Sequence, residues 1–397
     1  MIKCNSFRLS IGQARRKGLK TYQYRASNCV GVGIVVAVLA GCGEVKEGDR
    51  SVQSAQPSQK EARIDSVSLL TIGNDPDDPL YRVVGAVLTE DELVVAQASS
   101  MTLRFYDRRT GELERSVGGP GEGPGEYELL ASLQLVGDRL YTFDRVAYRL
   151  TVYDLSGTLE RTVQIPAWGE YDIPELVGVF PDGSLLVSAH SFDPENSAKS
   201  PVIRRYVMVL GRYDPNGVFL DSLGSYLGLE HYVTPFGNGG EAVGGVPFSR
   251  QVLPGVMGDE YYLLDSNEAV ISVFNTAGDS IGELEPATAP EPVRIGRADR
   301  DLFADLDVDS DELPQFYPFY SHSKVQGGAL WILRYVNPYQ DHSGEWSVYS
   351  FDGDLVGRVT ASERLVVLAV DGDTAAVLVR DELGVETVEL RRLVGWS

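Results

Sequence analysis

The sequence predicts an all-β protein, a six-bladed β-propeller of four-stranded antiparallel blades. The first observation is a strand that ends in an aromatic residue and Asp or Asn, followed by a turn that contains Gly. It occurs at Phe105-Tyr106-Asp107, Val152-Tyr153-Asp154, Arg212-Tyr213-Asp214, Val273-Phe274-Asn275 and Ser350-Phe351-Asp352, before Gly111, Gly157, Gly217, Gly278 and Gly353. Successive copies are 47, 60, 61 and 77 residues apart. This indicates a repeat of about 45 residues with insertions, the period of propeller blades.

The second observation is that each repeat divides into short strands. Unit two gives Leu129 to Leu135, Arg139 to Phe143, Tyr148 to Tyr153 and Thr158 to Gln164, with Gly137-Asp138 and Ser156-Gly157 as tight turns. The other complete units are Arg82 to Gly118, Pro174 to Gly224, Val252 to Glu285 and Tyr320 to Thr360.

The third observation is a spare strand at the start. Unit six has three strands, Leu365 to Val370, Thr374 to Val379 and Val385 to Leu393. An orphan strand, Ile64 to Ile72, precedes unit one. We expect it to complete the last blade and to bury Val67, Leu69, Leu70 and Ile72, which leaves no open sheet edge.

Continuously apolar strands support the same fold. Tyr261-Tyr262-Leu263-Leu264 and the run from Leu365 to Val370 do not alternate, as expected when both sheet faces pack against neighbours. A two-sheet sandwich or a parallel β-helix is the alternative, since both also contain many short strands.

The N-terminal segment resembles a lipoprotein signal. Residues 1–41 carry seven basic residues and no acid, and an apolar stretch from Val30 to Ala40 leads to Leu39-Ala40-Gly41-Cys42. Eleven apolar residues suit a signal core and are too few for a stable membrane span. These four residues resemble the bacterial lipobox, in which Cys42 is lipidated and becomes the first mature residue; the alternative is a chance match. Arg15-Arg16 also partly resembles a twin-arginine export motif, the alternative being a long basic leader.

This predicts three regions. Residues 1–41 are the signal peptide, 42–62 a disordered tether rich in Ser, Gln, Glu and Lys, and 63–397 the propeller domain. Cys4 and Cys29 leave with the signal and Cys42 is acylated, so the domain has no thiol or disulfide chemistry. The expected location is the bacterial cell envelope, membrane-anchored through Cys42 on the periplasmic side or the outer membrane.

Charge restricts the partners of the domain. Removal of the seven basic residues changes the net charge from −22 to −29. Such a surface repels nucleic acid, so nucleic acid is not an expected partner. The expected partner of this monomer is a small polar ligand, a peptide or a protein.

The segment Gly118-Gly119-Pro120-Gly121-Glu122-Gly123-Pro124-Gly125-Glu126-Tyr127 resembles the link after an early blade in six-bladed β-propeller lipoproteins of bacteria, related to NHL-repeat and TolB-like propellers. The resemblance extends from about Ile64 to the C-terminus. It implies the fold and surface anchoring. It implies a reaction only weakly, because the family includes binding scaffolds, lyases and lactonases.

No standard catalytic motif stands in a context that suits catalysis. The chain lacks a His-Glu-x-x-His helix and a phosphate-binding loop, and its one Gly-x-Ser-x-Gly match, Gly278-Asp279-Ser280-Ile281-Gly282, falls in the turn of a strand repeat. The acidic run at Asp305, Asp307, Asp309 and Asp311 suggests a divalent metal such as calcium, but Ser310 and Phe316 occupy positions where an EF-hand needs Gly and Glu. A solvated helix end is the alternative.

The insertions indicate where a site would lie. They are 191–202, 226–251, 286–319 and 337–343, all connections between blades or between second and third strands, which open on one face of a propeller. All four histidines, His190, His231, His322 and His342, map to this elaborated face. We predict ligand binding there by His231, Tyr232, Arg250, Tyr320, His322 and Arg334. Alternatively, the aromatic residues form a satellite core that plugs the channel mouth.

Two functions remain. The first is a surface-anchored ligand-binding or protein-interaction scaffold without catalytic residues. The second is a propeller hydrolase or lyase, with a divalent metal held in the central channel by carboxylates and His231 or His322.

Overall fold

The structure, a computed structural model, describes residues 59–396 apart from 170–172, 191–197, 238–239, 285–291, 338–342, 363 and 382. The predicted signal, Cys42 and His342 lie outside the described residues. Its regular secondary structure is almost entirely β-strand.

The strands follow one another in sequential sheets. The first strand is β1 (Lys60–Ile72). Two four-stranded sheets contain β2 (Val83–Leu88), β3 (Glu92–Gln97), β4 (Thr102–Asp107) and β5 (Leu113–Gly118), then β6 (Leu130–Val136), β7 (Arg139–Asp144), β8 (Arg149–Asp154) and β9 (Leu159–Gln164). The next sheet contains β10 (Pro174–Val179), β11 (Leu185–His190), β12 (Val202–Tyr213), β13 (Phe219–Phe236) and β14 (Gly240–Gly245).

The remaining elements are eleven strands, a short helix and a 3-10 turn. A four-stranded sheet contains β15 (Val252–Met257), β16 (Glu260–Asp265), β17 (Ile271–Asn275) and β18 (Ser280–Leu284). A short helix, α1 (Arg297–Arg300), and a 3-10 turn (Asp301–Phe303) follow. The last strands are β19 (Tyr320–Gln326), β20 (Ala329–Arg334), β21 (Gly344–Tyr349), β22 (Leu355–Ala361), β23 (Val366–Asp371), β24 (Thr374–Arg380) and β25 (Glu386–Val394).

We call each group of consecutive antiparallel strands an array. The N-terminal strand β1 joins the last two arrays, β19 to β22 and β23 to β25. Strands β19 to β25 and β1 form one eight-stranded sheet in which β1 lies between β22 and β25. β1 is antiparallel to β25, as the sequence predicts, and its first four residues are parallel to β22, which the sequence does not indicate. It begins at Lys60, so residues 60–62 belong to a strand and not to the predicted tether.

The first strands of the arrays form a closed ring. β2 contacts β6, and contacts continue in order through β10, β15, β19 and β23, which returns to β2. In each array the later strands follow outward by antiparallel pairing, with β1 outermost beside β25. This arrangement is consistent with a β-propeller, in which first strands surround a central axis.

The recurring Asp residues stabilise the turns between third and fourth strands. The Asp214 carboxylate accepts hydrogen bonds from the amides of Asn216 and Val218, each at 2.8 Å, and these bonds lower its pKa. Gly217 in this turn has φ 82°, which favours glycine. In unit five the predicted register is wrong by two residues. There β21 ends at Tyr349, and the hydroxyl of Ser350 accepts the hydrogen bond, from the amide of Asp354 at 3.1 Å.

Apolar clusters lie between neighbouring sheets. One joins Phe105 and Leu103 to Leu140 and Tyr153 of the next sheet. In β1 the buried residues are Ala62, Ile64 and Ile72, with Leu70 partly buried. The prediction that Val67 and Leu69 are buried is wrong, because these side chains are 68% and 56% exposed on the solvent face of this outermost strand.

The insertions are partly strands. The chain predicted as a loop from Tyr226 continues β13 as far as Phe236 and then forms the edge strand β14. β12 and β13 pair along nearly their whole length, from Val202 opposite Val233 to Tyr213 opposite Phe219. The elaborated face therefore carries a long β-hairpin.

Candidate functional site

A cavity of about 640 Å³ lies within the ring of first strands. Its lining includes residues of all six of these strands, β2, β6, β10, β15, β19 and β23. Most of the lining is Val, Leu, Ala, Pro and Gly. The volume is in the range of sites that bind small organic molecules.

Polar groups on β19 form a row along one wall. His322, Lys324 and Gln326 all line the cavity, because alternate residues of a strand share one face. Ser132 and Gln134 of β6 also line it. β6 and β19 are three strands apart in both directions around the ring, so these polar groups occupy opposite walls.

A β-bulge positions the lysine. In β23, Val367 lies opposite Val377 and Ala369 opposite Ala376, so Leu368 has no partner in β24. Its free carbonyl accepts hydrogen bonds from Lys324 Nζ at 2.6 Å and from Gln326 Nε2 at 2.9 Å. The bulge therefore fixes two donors of β19 against the neighbouring strand.

Enclosure by protein changes the ionisation of this row. Burial lowers the pKa of Lys324 to about 8. The pKa of His322 is lowered by burial and by the Lys324 charge. The His322 side chain is exposed, but the space that it faces is the cavity within the ring of first strands. At neutral pH the row thus carries a charged amine and a neutral imidazole.

A glycine brings a tyrosine to the cavity. The Tyr262 hydroxyl lines the cavity and donates to Ser323 Oγ at 3.1 Å. A Cβ at Gly255 would lie 2.3 Å from the Tyr262 hydroxyl, so only glycine leaves room for this ring beside β15. Burial raises the pKa of Tyr262 to about 12.

The cavity extends to the face with short turns. Its lining includes Pro181, Gly258, Gly327 and Gly328 in turns that follow first strands, and Asp371 at the end of β23. Tyr320, at the opposite end of β19, is not part of the lining. The elaborated connections lie at that opposite end of the strands, since turns alternate between the two ends of an antiparallel array.

Of the six predicted binding residues, His322 lines the cavity and the other five lie outside it. Tyr320 is buried in the core between β16 and β20, and burial raises its pKa. Arg334 lies opposite Tyr320 at the end of β20 and is exposed. Tyr320, His322 and Arg334 are therefore near one another at one end of β19 and β20.

His231 and Tyr232 belong to the long hairpin. The His231 ring is 5.7 Å from the Tyr206 ring, and burial lowers its pKa. The Tyr232 hydroxyl accepts a hydrogen bond from the amide of Asp307 at 3.1 Å. Tyr232 packs against a satellite cluster built from the insertions, whose members include Phe248, Phe303, Tyr317 and Tyr335. Of the two aromatic residues predicted to bind a ligand, Tyr232 thus packs against a satellite core, whereas Tyr320 belongs to a cluster between two sheets.

Arg250 is held in an ion pair. Its backbone amide and Nε donate to the Glu230 carboxylate at 3.1 and 3.0 Å, and its Nη2 also contacts Glu230. The Glu230 side chain is 1% exposed. Arg250 therefore neutralises the buried Glu230 carboxylate of β13. Its position in the sequence does not reveal this structural role.

No metal site follows from the described side chains. Within the described ranges, no three His, Cys, Asp or Glu residues come together in a group that could hold a metal ion. Asp371 is the one carboxylate among the described residues that line the cavity, and His231 is outside the lining. No helix in the described part of the chain is long and apolar enough to cross a membrane.

We did not predict Lys324, Gln326, Gln134 and Tyr262 as site residues from the sequence. The available signal was the segment Ser321-His322-Ser323-Lys324-Val325-Gln326, a first strand in which every residue except Val325 is polar. First strands surround the axis of a propeller, so polar residues there face a channel.

No protein-family model and no curated protein matches this sequence. Solved structures do resemble it. A Bacteroides fragilis protein presumed to be exported is 13% identical over 85% of this chain and 96% of its own, with a TM-score of 0.45. A member of the DUF4221 family from Bacteroides vulgatus is 8% identical over 84% of this chain and 98% of its own, with a TM-score of 0.48. Virginiamycin B lyase from Staphylococcus aureus is 11% identical over 83% of this chain and 88% of its own, with a TM-score of 0.32. Similarity at this level carries no argument about function.

Proposed function

We propose that the protein is an exported six-bladed β-propeller lipoprotein of the cell envelope that binds a small organic ligand in its central cavity. The observation that carries the proposal is the cavity itself, apolar on most walls with a few fixed polar groups. This combination is characteristic of ligand sites, in which apolar contact gives affinity and a few polar groups fix orientation.

The six-blade count is supported by the closed ring of first strands and by β1, which completes the array of β23 to β25. Anchoring through Cys42 is supported by the lipobox and the basic and apolar residues before it. Membership of the NHL-repeat and TolB-like superfamily is supported by the Gly-rich link and the repeated turns.

The elaborated face is retained as a predicted interaction surface for a peptide or protein. Arg334 is exposed there beside Tyr320, and His231 is partly exposed on the long hairpin. Arg250 and Tyr232 would support this surface through the Glu230 ion pair and the satellite cluster.

A cavity-blocking variant tests ligand binding. Val366 lines the cavity and is 44% exposed, so a phenyl ring in Val366→Phe can enter the cavity without displacing the core. The matched control is Val218→Phe in an exposed turn, where the wild-type valine is 58% exposed. A chemically diverse library is screened by thermal shift on the wild-type protein, and each compound that binds is tested on both variants.

We expect binding to be lost in Val366→Phe and kept in Val218→Phe. Equal binding by the two variants, or no binding compound in the library, would contradict the proposal.

A further inference from the structure

We propose that the cavity binds the carboxylate of a small organic acid with an apolar body, with the Lys324 ammonium as the charge partner. This inference rests on the proposed ligand-binding function and names the chemical class of the ligand.

The cavity contains a positive charge that no described carboxylate balances. Lys324 is hydrogen-bonded to the carbonyl of Leu368 and has no carboxylate partner among the described residues. Asp371, at the end of β23, forms an ion pair with Arg108 at 2.6 Å. The positive charge in the cavity is therefore not neutralised by the described side chains, which is costly in an enclosed site and favours an anionic ligand.

The hydrogen-bond donors of Lys324 also suit a carboxylate. An ionised carboxylate only accepts hydrogen bonds, and an ammonium has three donors. Lys324 spends one donor on Leu368, so two remain for a ligand. His322 is next along the same face, about 7 Å away along the strand. Lys324 is the one cation in the described lining, which suits a monoanion better than a doubly charged phosphate.

The walls of the cavity away from β19 are largely apolar. Val84, Val177, Pro254 and Val370 line the cavity on β2, β10, β15 and β23. These surfaces gain free energy by contact with an apolar group. A ligand that satisfies both kinds of wall has a carboxylate at one end and an apolar chain or ring at the other.

The pH provides a specific readout. The titratable side chains that line the cavity are Tyr262, His322, Lys324 and Asp371, and Asp371 is paired with Arg108. The pKa of Tyr262 is about 12, that of His322 is below its usual value, and that of Lys324 is about 8. Between about pH 6.5 and about pH 9.5, the group in this set that changes charge is therefore Lys324.

The experiment compares probes of equal shape. The anchored protein, or its soluble form without the signal, is titrated calorimetrically with 4-phenylbutanoate, 4-phenylbutanamide and 4-phenylbutylamine, and with a series of shorter and longer acids and their amides. We expect at least one acid to bind about ten to a hundred times more tightly than its amide, and its amine to bind more weakly still. Affinity for that acid should fall about tenfold or more between about pH 6.5 and about pH 9.5, while that for the amide stays constant.

Two variants complete the test. Lys324→Met should abolish both the preference for the acid and its pH dependence, whereas Lys199→Met, at an exposed lysine, should preserve both. Acid and amide of equal affinity, both blocked by Val366→Phe, would overturn this inference and leave the proposed function standing. Acids that bind with no response to Lys324→Met, or no acid that binds at all, would also overturn it. If Val366→Phe weakens the binding of none of the probes that bind, the proposed function itself is contradicted.

Discussion

Ile64 of β1 lies directly opposite Leu393 of β25, and both side chains are buried. Two residues earlier, Ala62 of the same strand lies opposite Val359 of β22. The side chains of Ala62, Ile64, Val359 and Leu393 belong to one apolar cluster. The beginning of the described chain is therefore part of the core that joins the last two arrays.

The first prediction concerns this strand. Ile64→Ala should lower the free energy of unfolding by about 2–4 kcal/mol, because it leaves a cavity in a packed core. Leu69→Ala in the same strand should change it by less than about 1 kcal/mol, since Leu69 is 56% exposed. Urea unfolding measures both. Equal losses would mean that the burial pattern of β1 is wrong.

The second prediction separates tether from strand. Deletion of residues 43–58, which precede β1, should leave the melting temperature unchanged. Deletion of 61–73 should unfold or aggregate the protein, because it removes the strand between β22 and β25 and exposes two sheet edges. Two truncated proteins of equal stability would show that the arrays close in another way.

The third prediction concerns Arg250. Arg250→Gln should destabilise the protein by about 2–3 kcal/mol, because it leaves the buried Glu230 carboxylate without its cation. Arg334→Gln, at an exposed arginine, is the matched control and should change stability by less than about 0.5 kcal/mol. Chemical denaturation measures the difference. If Arg250→Gln is as stable as the control, the ion pair contributes nothing.

The fourth prediction is a pH dependence of stability. The pKa of Lys324 is about 8 in the folded protein and higher in the unfolded chain. Above about pH 8 the unfolded state therefore binds more protons, so the Lys324 contribution to stability rises with pH up to about pH 10.5 and is constant below pH 8. Subtraction of the unfolding free energy of Lys324→Met, measured at each pH, isolates this contribution. A difference that falls or stays level across this window would contradict the assigned burial.

The fifth prediction concerns the anchor. The wild-type protein, expressed in a bacterium, should partition into detergent and begin at an acylated Cys42. Cys42→Ala should remain unprocessed at Gly41 and lose lipidation, which detergent-phase partitioning and mass spectrometry of the N-terminus measure. Cleavage at Gly41 and membrane fractionation that persist in Cys42→Ala would exclude lipidation.

The repeats were predictable from the sequence because their chemistry is local. Asp214 bonds to amides within four residues, and Gly217 supplies the required φ in the same turn. The missing strand of the last array was also predictable, by counting strands. Its parallel contact with β22 was not, because nothing in the segment from Lys60 to Arg63 indicates a second partner.

The candidate site was only partly predictable. Long insertions directed attention to the elaborated face, and Arg250 is conspicuous there as a cation among aromatic residues. Its partner Glu230 lies twenty residues earlier on the opposite side of a hairpin whose register the sequence does not specify. Lys324 and Gln134 face one cavity only because the ring closes, which depends on all the arrays together.

The position of β1 also has a consequence for how the chain folds. β1 leaves the ribosome before its two partner strands, which lie about 300 positions later, so its native contacts become available only after β22 and β25 have been synthesised. Until then the hydrogen-bonding edges of β22 and β25 stay open to other chains and to proteases. Completion of the eight-stranded sheet is therefore a late step of folding, and the interval before it is when these two edges are most open to wrong pairing.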